Sequence, residues 1–221
     1  MSNRSVSTKE LATLGLTIVK KTNHFIVLSQ KDNLGEGFYI IRYDSSSSLQ
    51  NMLSIPHRFY DKYTGTIGYK LMKTHTYRAI AFNTVHRKVM DSAHTEQTLF
   101  NAFHIAFASV YPKDTIYQLH GFNADKRKDI LAKKSQIVLS STTREHSLKV
   151  IDIYNCLREE GYHTLLYGRD IFELGGTTNR QGYTLKKRGF SNFIHIELNA
   201  PLRETLSKDS LSRKKLIKCL P

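Results

Sequence analysis

The sequence predicts an α/β protein, a single three-layer domain (residues 1–221) around a mixed, largely parallel sheet. Three observations predict it. Eight short apolar runs are bounded by Gly, Pro, Asn or Asp, the pattern of buried strands. The later runs alternate with helical patterns, which implies crossover connections and helices on both faces of the sheet. The 221 residues sit at the upper end of what one domain commonly holds, and the chain shows no internal repeat.

The expected strands are residues 24–28, 37–43, 50–55, 77–82, 115–119, 136–140, 163–167 and 193–198. No helical pattern separates the first three, so that part is expected to be antiparallel. The serines at 45–48 read as a loop or hairpin connection, too short for an interdomain linker. A helix is expected over 60–73. A second, over 95–110, places Leu99, Phe103, Ala106 and Val110 on one face and is stopped by Pro112. A third, over 147–160, places Val150, Ile153 (with Tyr154) and Leu157 on one face, with Gly161 as its C-terminal cap. A fourth is expected near the C-terminus.

Composition narrows the class. A hydrophobic fraction of 40%, with twelve Tyr and eleven Phe, supports a packed core and argues against disorder. No run approaches the roughly 20 apolar residues that cross a bilayer. The N-terminus lacks the basic-then-apolar pattern of a secretory signal, and the expected location is the cytoplasm. Cys156 and Cys219 form no CxxC pair, which suits a reducing compartment and excludes a thiolate zinc knuckle of the usual spacing. The net charge of +14 draws polyanions or acidic substrates. The basic clusters at 126–128, 186–188 and 213–215 are scattered, without the interleaved aromatics of an RNA-recognition motif or the spacing of a zinc finger.

Open α/β sheets bind ligands at the carboxyl ends of their strands, so the strand ends carry the candidates. After residue 55 come His57 and Asp61; if the chain turns helically there, residues four apart project together and grip one ion. Two imidazoles and a carboxylate are mixed N/O ligands that zinc accepts, and His120, followed by Gly121, supplies the third from the end of another strand. Asp61 reads equally as a cap of the following helix, and His120 as an imidazole held by a backbone carbonyl. Glu197 stands between Ile196 and Leu198 on one face with His195. A carboxylate is seldom buried without a partner or a task, and its task here is general base; facing solvent or pairing with Arg203 is the other reading. Arg87, Arg180 and Arg203 are candidates to clamp a substrate carboxylate bidentately. His86, Asp91 and His94 form a rival cluster, either alternative ligands or groups that orient the site. The glycine-rich run 174–182 reads as a loop over the cleft; it lacks the Gly-Lys-Ser/Thr ending of a phosphate loop, and Ser140-Ser141 lacks the elbow of a serine hydrolase.

At these residues the chain resembles the zinc-dependent amidohydrolase and carboxypeptidase group, which includes N-formylglutamate amidohydrolases, phage-type poly-γ-glutamate hydrolases and metallocarboxypeptidases. The likeness rests on Ile55-Pro56-His57 with Asp61, on Gln118-Leu119-His120-Gly121, and on the late strand ending Ile196-Glu197-Leu198, in the same order along the chain. It covers residues 55–203, the metallohydrolase core, while residues 1–50 have no counterpart in the group. The resemblance implies a zinc-peptidase type of fold, zinc bound by His57, Asp61 and His120, and water activated by Glu197. Arg87 and Arg180 match loosely the positions that hold a substrate carboxylate. The His-x-x-Glu of carboxypeptidases is here His-x-x-x-Asp.

The expected function is therefore zinc-dependent hydrolysis of an amide bond in a small carboxylate-bearing substrate, an N-acyl amino acid or glutamyl peptide, with the basic surface gathering acidic substrates. The alternative is a basic nucleic-acid-binding protein, or a metal-dependent nuclease or phosphoesterase, on the same fold.

Overall fold

Alternation along the central strands decides the layers. A computed structural model of the chain describes residues 7–30, 37–43, 49–74 and 77–220; the expected loop at 45–48 lies outside them. The elements are α1 (Thr8–Thr13), β1 (Leu16–Lys21), β2 (Phe25–Gln30), β3 (Phe38–Arg42), β4 (Gln50–Ile55), α2 (Thr64–Thr74), β5 (Tyr77–Phe82), α3 (Leu99–Val110) and β6 (Ile116–Phe122). Then follow α4 (Ile130–Lys134), β7 (Ile137–Ser140), α5 (Leu148–Glu159), β8 (Thr164–Leu166), α6 (Arg180–Lys187), β9 (Phe193–Asn199), α7 (Ala200–Lys208) and α8 (Ser210–Lys218). The nine strands form one mixed sheet in the order β1-β2-β3-β5-β4-β6-β9-β7-β8. Its centre, β5-β4-β6-β9, is parallel; β1, β2 and β3 join it antiparallel on one side, and β7 pairs antiparallel with β9 on the other.

Successive residues of a strand face opposite sides. Leu53, Ile55, Leu119, Ile196 and Leu198 point to one face, where they form the main core with α2, α5, α7 and α8. Met52, Ile116 and Phe193 point to the other and pack with α1, α3 and α6. This is the expected three-layer α/β architecture. No described helix is long and apolar enough to cross a membrane.

Several details differ from the sequence reading. The three strands without intervening helices are not three neighbours: β3 pairs with β5, and β4 lies inside the parallel centre. In α3 the buried face is Phe100, His104, Phe107 and Ala108, while Val110 of the expected face is 65% exposed. This helix is apolar nearly all round, so periodicity alone singled out no face. The inward turn of His104 is decided by a partner, Ser54 Oγ at 2.7 Å from its Nε2. The glycine-rich run is only partly a loop: Asn179 caps α6, its side chain accepting from the Gly182 amide. The C-terminal helix is two, because the Asp209 carboxylate accepts the Leu211 and Ser212 amides and starts α8. The short α1 and the polar edge strand β1 carry too little apolar alternation to announce themselves.

The cysteines also depart from expectation. Cys156 and Cys219 form a disulfide with Cα atoms 5.5 Å apart, although 63 residues separate them. Packing of α5 and the end of α8 into the same core brings them together, and sequence spacing hides such a meeting. The bridge removes the argument from free thiols for a reducing compartment.

Candidate metal centre

The Pro56-His57 segment turns as soon as β4 ends. The Asp61 amide donates to the His57 carbonyl at 2.8 Å, a single helical turn ahead of α2. That turn sets His57 Nδ1 3.4 Å from Asp61 Oδ2. Asp61 does not cap α2; its Oδ2 accepts from the Gly121 amide at 2.9 Å, which ties it to the end of β6. His120 stands on β6 just before that glycine, its Nδ1 3.7 Å from the same Oδ2, and its ring meets His57 edge-on at 4.9 Å. The three side chains are buried, and one ligand atom from each falls within 4.8 Å of the others.

Each imidazole is held from behind. His57 Nε2 lies 2.7 Å from Asp91 Oδ1; a carboxylate oxygen only accepts, so Nε2 carries the proton and Nδ1 is left facing Asp61. His57 Nδ1 makes no well-aligned hydrogen bond and has only the 3.4 Å contact with Asp61 Oδ2. His120 Nε2 donates to Gln118 Oε1 at 2.8 Å, leaving its Nδ1 toward the cluster. Such outer partners fix tautomer and ring orientation in metal sites. Burial lowers the pKa of His57, but hydrogen bonds and charge from Asp61 and Asp91 outweigh it and leave it raised. His120 is held well below its ordinary value by burial and by His195 and His57. Burial acts to raise Asp91, yet its bonds to His57 and His94 and the Arg87 charge hold it far below the usual carboxylate range.

Beside His120, in register on β9, stands Glu197. β9 is an interior strand between β6 and β7, so Glu197 is not an edge residue facing solvent. His195 precedes it on the same face, with ring centroid 4.5 Å from His120 and Nε2 3.8 Å from Glu197 Oε1. His120, His195 and Glu197 make a second group with ligand atoms within 4.8 Å of one another. Glu197 Oε2 and His195 Nδ1 have no hydrogen-bond partner. Burial, then the Asp61 charge, pushes Glu197 up to about 8, although its side chain keeps 13% exposure. Burial, then the charges of His57 and His94, pushes His195 down to about 3.

The other candidates are placed as follows. Arg87 Nη2 is committed to Asp91 Oδ2 at 2.7 Å, and the half-buried side chain lies over Tyr60. His94 bonds Asp91 and Thr178. His86 packs edge-on against Tyr60, outside both ligand groups. Arg180 opens α6, exposed over Tyr183, with its amide bonded to the Ala93 carbonyl. Arg203 is not available as a substrate clamp or as a partner of Glu197. It is buried, and Nη1, Nη2 and Nε donate to the carbonyls of Lys62, Phe122 and Asn199. It fills the space a side chain at Gly121 would need, since a Cβ there would lie 2.3 Å from its Nη1. Gly176 has φ +58 and lies so close to His195 that a Cβ would sit 2.6 Å from the ring, a position for glycine on both counts.

Sequence reasoning missed a polar layer beneath His120. Gln118 Nε2 donates to Ser54 Oγ and Gln181 Oε1, and its Oε1 accepts from Asn179 as well as His120. Ser54 in turn contacts His104 Nε2 at 2.7 Å. The signal available was Ser54 and Gln118 themselves, polar residues inside otherwise apolar strands.

No protein-family model and no curated protein sequence matches the chain. Solved structures do. The N-formylglutamate amidohydrolase of Ralstonia eutropha JMP134 superposes with a TM-score of 0.57 at 10% identity, covering 84% of this chain and 96% of that one. A bacteriophage poly-γ-glutamate hydrolase gives 0.53 at 10%, covering 86% and 88%. A metallo-carboxypeptidase from Burkholderia cenocepacia gives 0.53 at 8%, covering 96% and 68%. At these identities the likeness is one of fold, which this chain shares with those amidohydrolase, hydrolase and metallo-carboxypeptidase structures.

Proposed function

We propose that the chain is a metal-dependent hydrolase of an amide bond, with zinc held by His57, Asp61 and His120. The observation that carries this reading is the convergence of two imidazole nitrogens, each ring held from behind, on a carboxylate oxygen, beside a carboxylate with a free oxygen. The donor set fits zinc: two nitrogen ligands and one oxygen leave a fourth position, as in hydrolytic sites. His57 Nδ1 fits as well, a buried ring nitrogen that makes no well-aligned hydrogen bond and faces Asp61 Oδ2. When bound, such an ion polarises a carbonyl oxygen and lowers the pKa of water toward about 7.

Glu197 is the general base of this reading. Its free Oε2 takes the proton of the attacking water and delivers it to the departing amine nitrogen. A raised pKa suits a carboxylate that holds a proton between those two transfers. His195, neutral at its low pKa, packs beside Glu197 without donating a charge. Arg87, which pairs with Asp91, and Arg180, whose amide bonds the Ala93 carbonyl, bind the substrate carboxylate. The neighbours with this fold include proteins named for N-formylglutamate, poly-γ-glutamate and carboxypeptidase activity, which supports an N-acyl amino acid or glutamyl amide as substrate.

The test is metal content after purification without chelator or affinity metal, wild type beside His120→Ala. The expectation is about one zinc ion per folded chain, lost in the variant, and hydrolysis of N-acyl-glutamate or glutamyl amides by wild type. A wild type that neither carries nor takes up zinc sinks the reading and moves the +14 charge to the fore, with salt-dependent polyanion binding as the alternative.

A further inference from the structure

A cavity of about 730 Å³ lies on the α2 face of the sheet, and none of His57, Asp61, His120 or Glu197 lines it. It exists because the sheet outruns its helices. On that face α2 packs on β4 and β5, while Phe25 and Val27 of β2 and Phe38 and Ile40 of β3 line the cavity beside it. Val27 of β2, Ile40 of β3 and Phe82 of β5 form the floor, and Met72 of α2 the wall. At the rim Phe59 is 51% and Tyr69 52% exposed, large apolar groups that a protein surface seldom leaves together without a use.

The charges along this cavity have one sign. Arg42, Arg58 and Lys73 line it, and no carboxylate does among the described residues. Arg58 is half-buried and stacks on Phe59 at 4.3 Å. Neither it nor Lys73 has an ion-pair partner among the described residues. Burial lowers the Arg58 pKa, which reflects desolvation without a compensating anion. Arg42 is already bonded to the Met72 carbonyl. Arg58 packs against Gly65 at the start of α2, and Lys73 is eight residues further on, about 12 Å along a helix. Apart from Thr66 and Arg42, the lining between them is aliphatic and aromatic.

We propose that this cavity binds a monomeric long-chain carboxylate, its head on the Arg58 guanidinium and its hydrocarbon running over Val27, Ile40 and Phe82 toward Lys73. A guanidinium matches a carboxylate through two parallel hydrogen bonds, and the apolar floor takes the hydrocarbon chain out of water. The volume falls within the range of small-molecule sites, about 300–1,000 Å³. A second copy of this chain would bring its own +14 charge against three cations, so the charge pattern favours the anionic amphiphile. This site stands independently of the hydrolytic reading.

The experiment is calorimetric titration of the full chain with dodecanoate below its micelle concentration, with and without chelator. Dodecanol and dodecyltrimethylammonium serve as neutral and cationic comparisons. Saturable binding near one per chain is expected, unaffected by chelator, with the cationic analogue at least about tenfold weaker. Arg58→Gln weakens dodecanoate about tenfold but leaves dodecanol unchanged. Thr66→Trp, placed on an exposed residue of the lining, blocks all binding while circular dichroism remains that of wild type. Absence of saturable binding to folded wild type overturns the proposal, as does equal affinity for the anionic and cationic chains. Undiminished binding in Thr66→Trp overturns it too, because the ligand then sits elsewhere.

Discussion

The two faces of the central sheet are made by the same strands and obey opposite rules. On the α2 side, Leu53, Ile55, Leu119, Ile196 and Leu198 close against four helices in a mostly apolar cluster. One residue away on each strand, Ser54, Gln118, His120, His195 and Glu197 form a polar layer under α3 and α6. Burial is nearly as deep on both sides, so burial does not distinguish a core from a site. The distinction lies in polar demand: the first face has few groups to satisfy, such as Arg203 and the Tyr77 hydroxyl, while the second carries a continuous layer of them. Around the candidate centre, His57 Nδ1, His195 Nδ1 and Glu197 Oε2 make no hydrogen bond. Unpartnered buried polar atoms are costly; others lie apart, at Asn101, Ser141, His146 and Thr184, but these three stand together at the candidate centre.

Adjacent residues on opposite faces allow this contrast to be broken deliberately. The largest effect is expected from Glu197→Gln, which should lower turnover by about 10²–10⁴-fold while leaving zinc content unchanged. Undiminished hydrolysis in a zinc-loaded variant would remove Glu197 from its role. On the other face, Leu119→Ala should cost about 2–5 kcal/mol in urea unfolding with zinc retained by the folded fraction. Loss of metal without loss of stability would show that the faces are not separable.

The polar face should also be the acid-sensitive one. His104 is buried neutral, its pKa pushed down to about 4 by desolvation. The unfolded chain takes up that proton below the ordinary value of 6.5, so its contribution is complete above that pH. It is lost as pH falls toward 4 and amounts to roughly 3 kcal/mol. Unfolding midpoints followed from neutral pH to about pH 4 should fall less steeply in His104→Gln than in wild type, whatever its starting stability; parallel profiles would contradict this. The smallest effect is expected from Asp91→Asn, which weakens the support behind His57 without removing a ligand. It should reduce zinc affinity about 10–100-fold, measured by chelator competition, and an unchanged affinity would make Asp91 a bystander.

How much was legible follows from the physics of each signal. β4 and β5 were read with their observed limits because their apolar runs end at a proline and an asparagine. The buried face of α5 was read correctly because its polar and apolar sides differ. α3 was read on the wrong face because its sides do not. His57, Asp61, His120, His195 and Glu197 stood out as polar residues at the ends of apolar strands, and the structure gathers them. The roles of Arg203 and Gln118 did not stand out, since an arginine that spends its donors on three carbonyls looks in sequence like any other.

The sequence by itself determined the class of fold, most of the strands, and which residue types would collect at the carboxyl ends of the sheet. These depend on period and composition, which are local properties of a chain. Tertiary structure alone decided that β3 lies beside β5, that Cys156 meets Cys219, that Asp91 backs His57, and that β2 and β3 outrun α2 to leave an apolar cavity. Each of these depends on which distant segments become neighbours, and neighbours are chosen by the packing of the whole core, not by any one stretch of it.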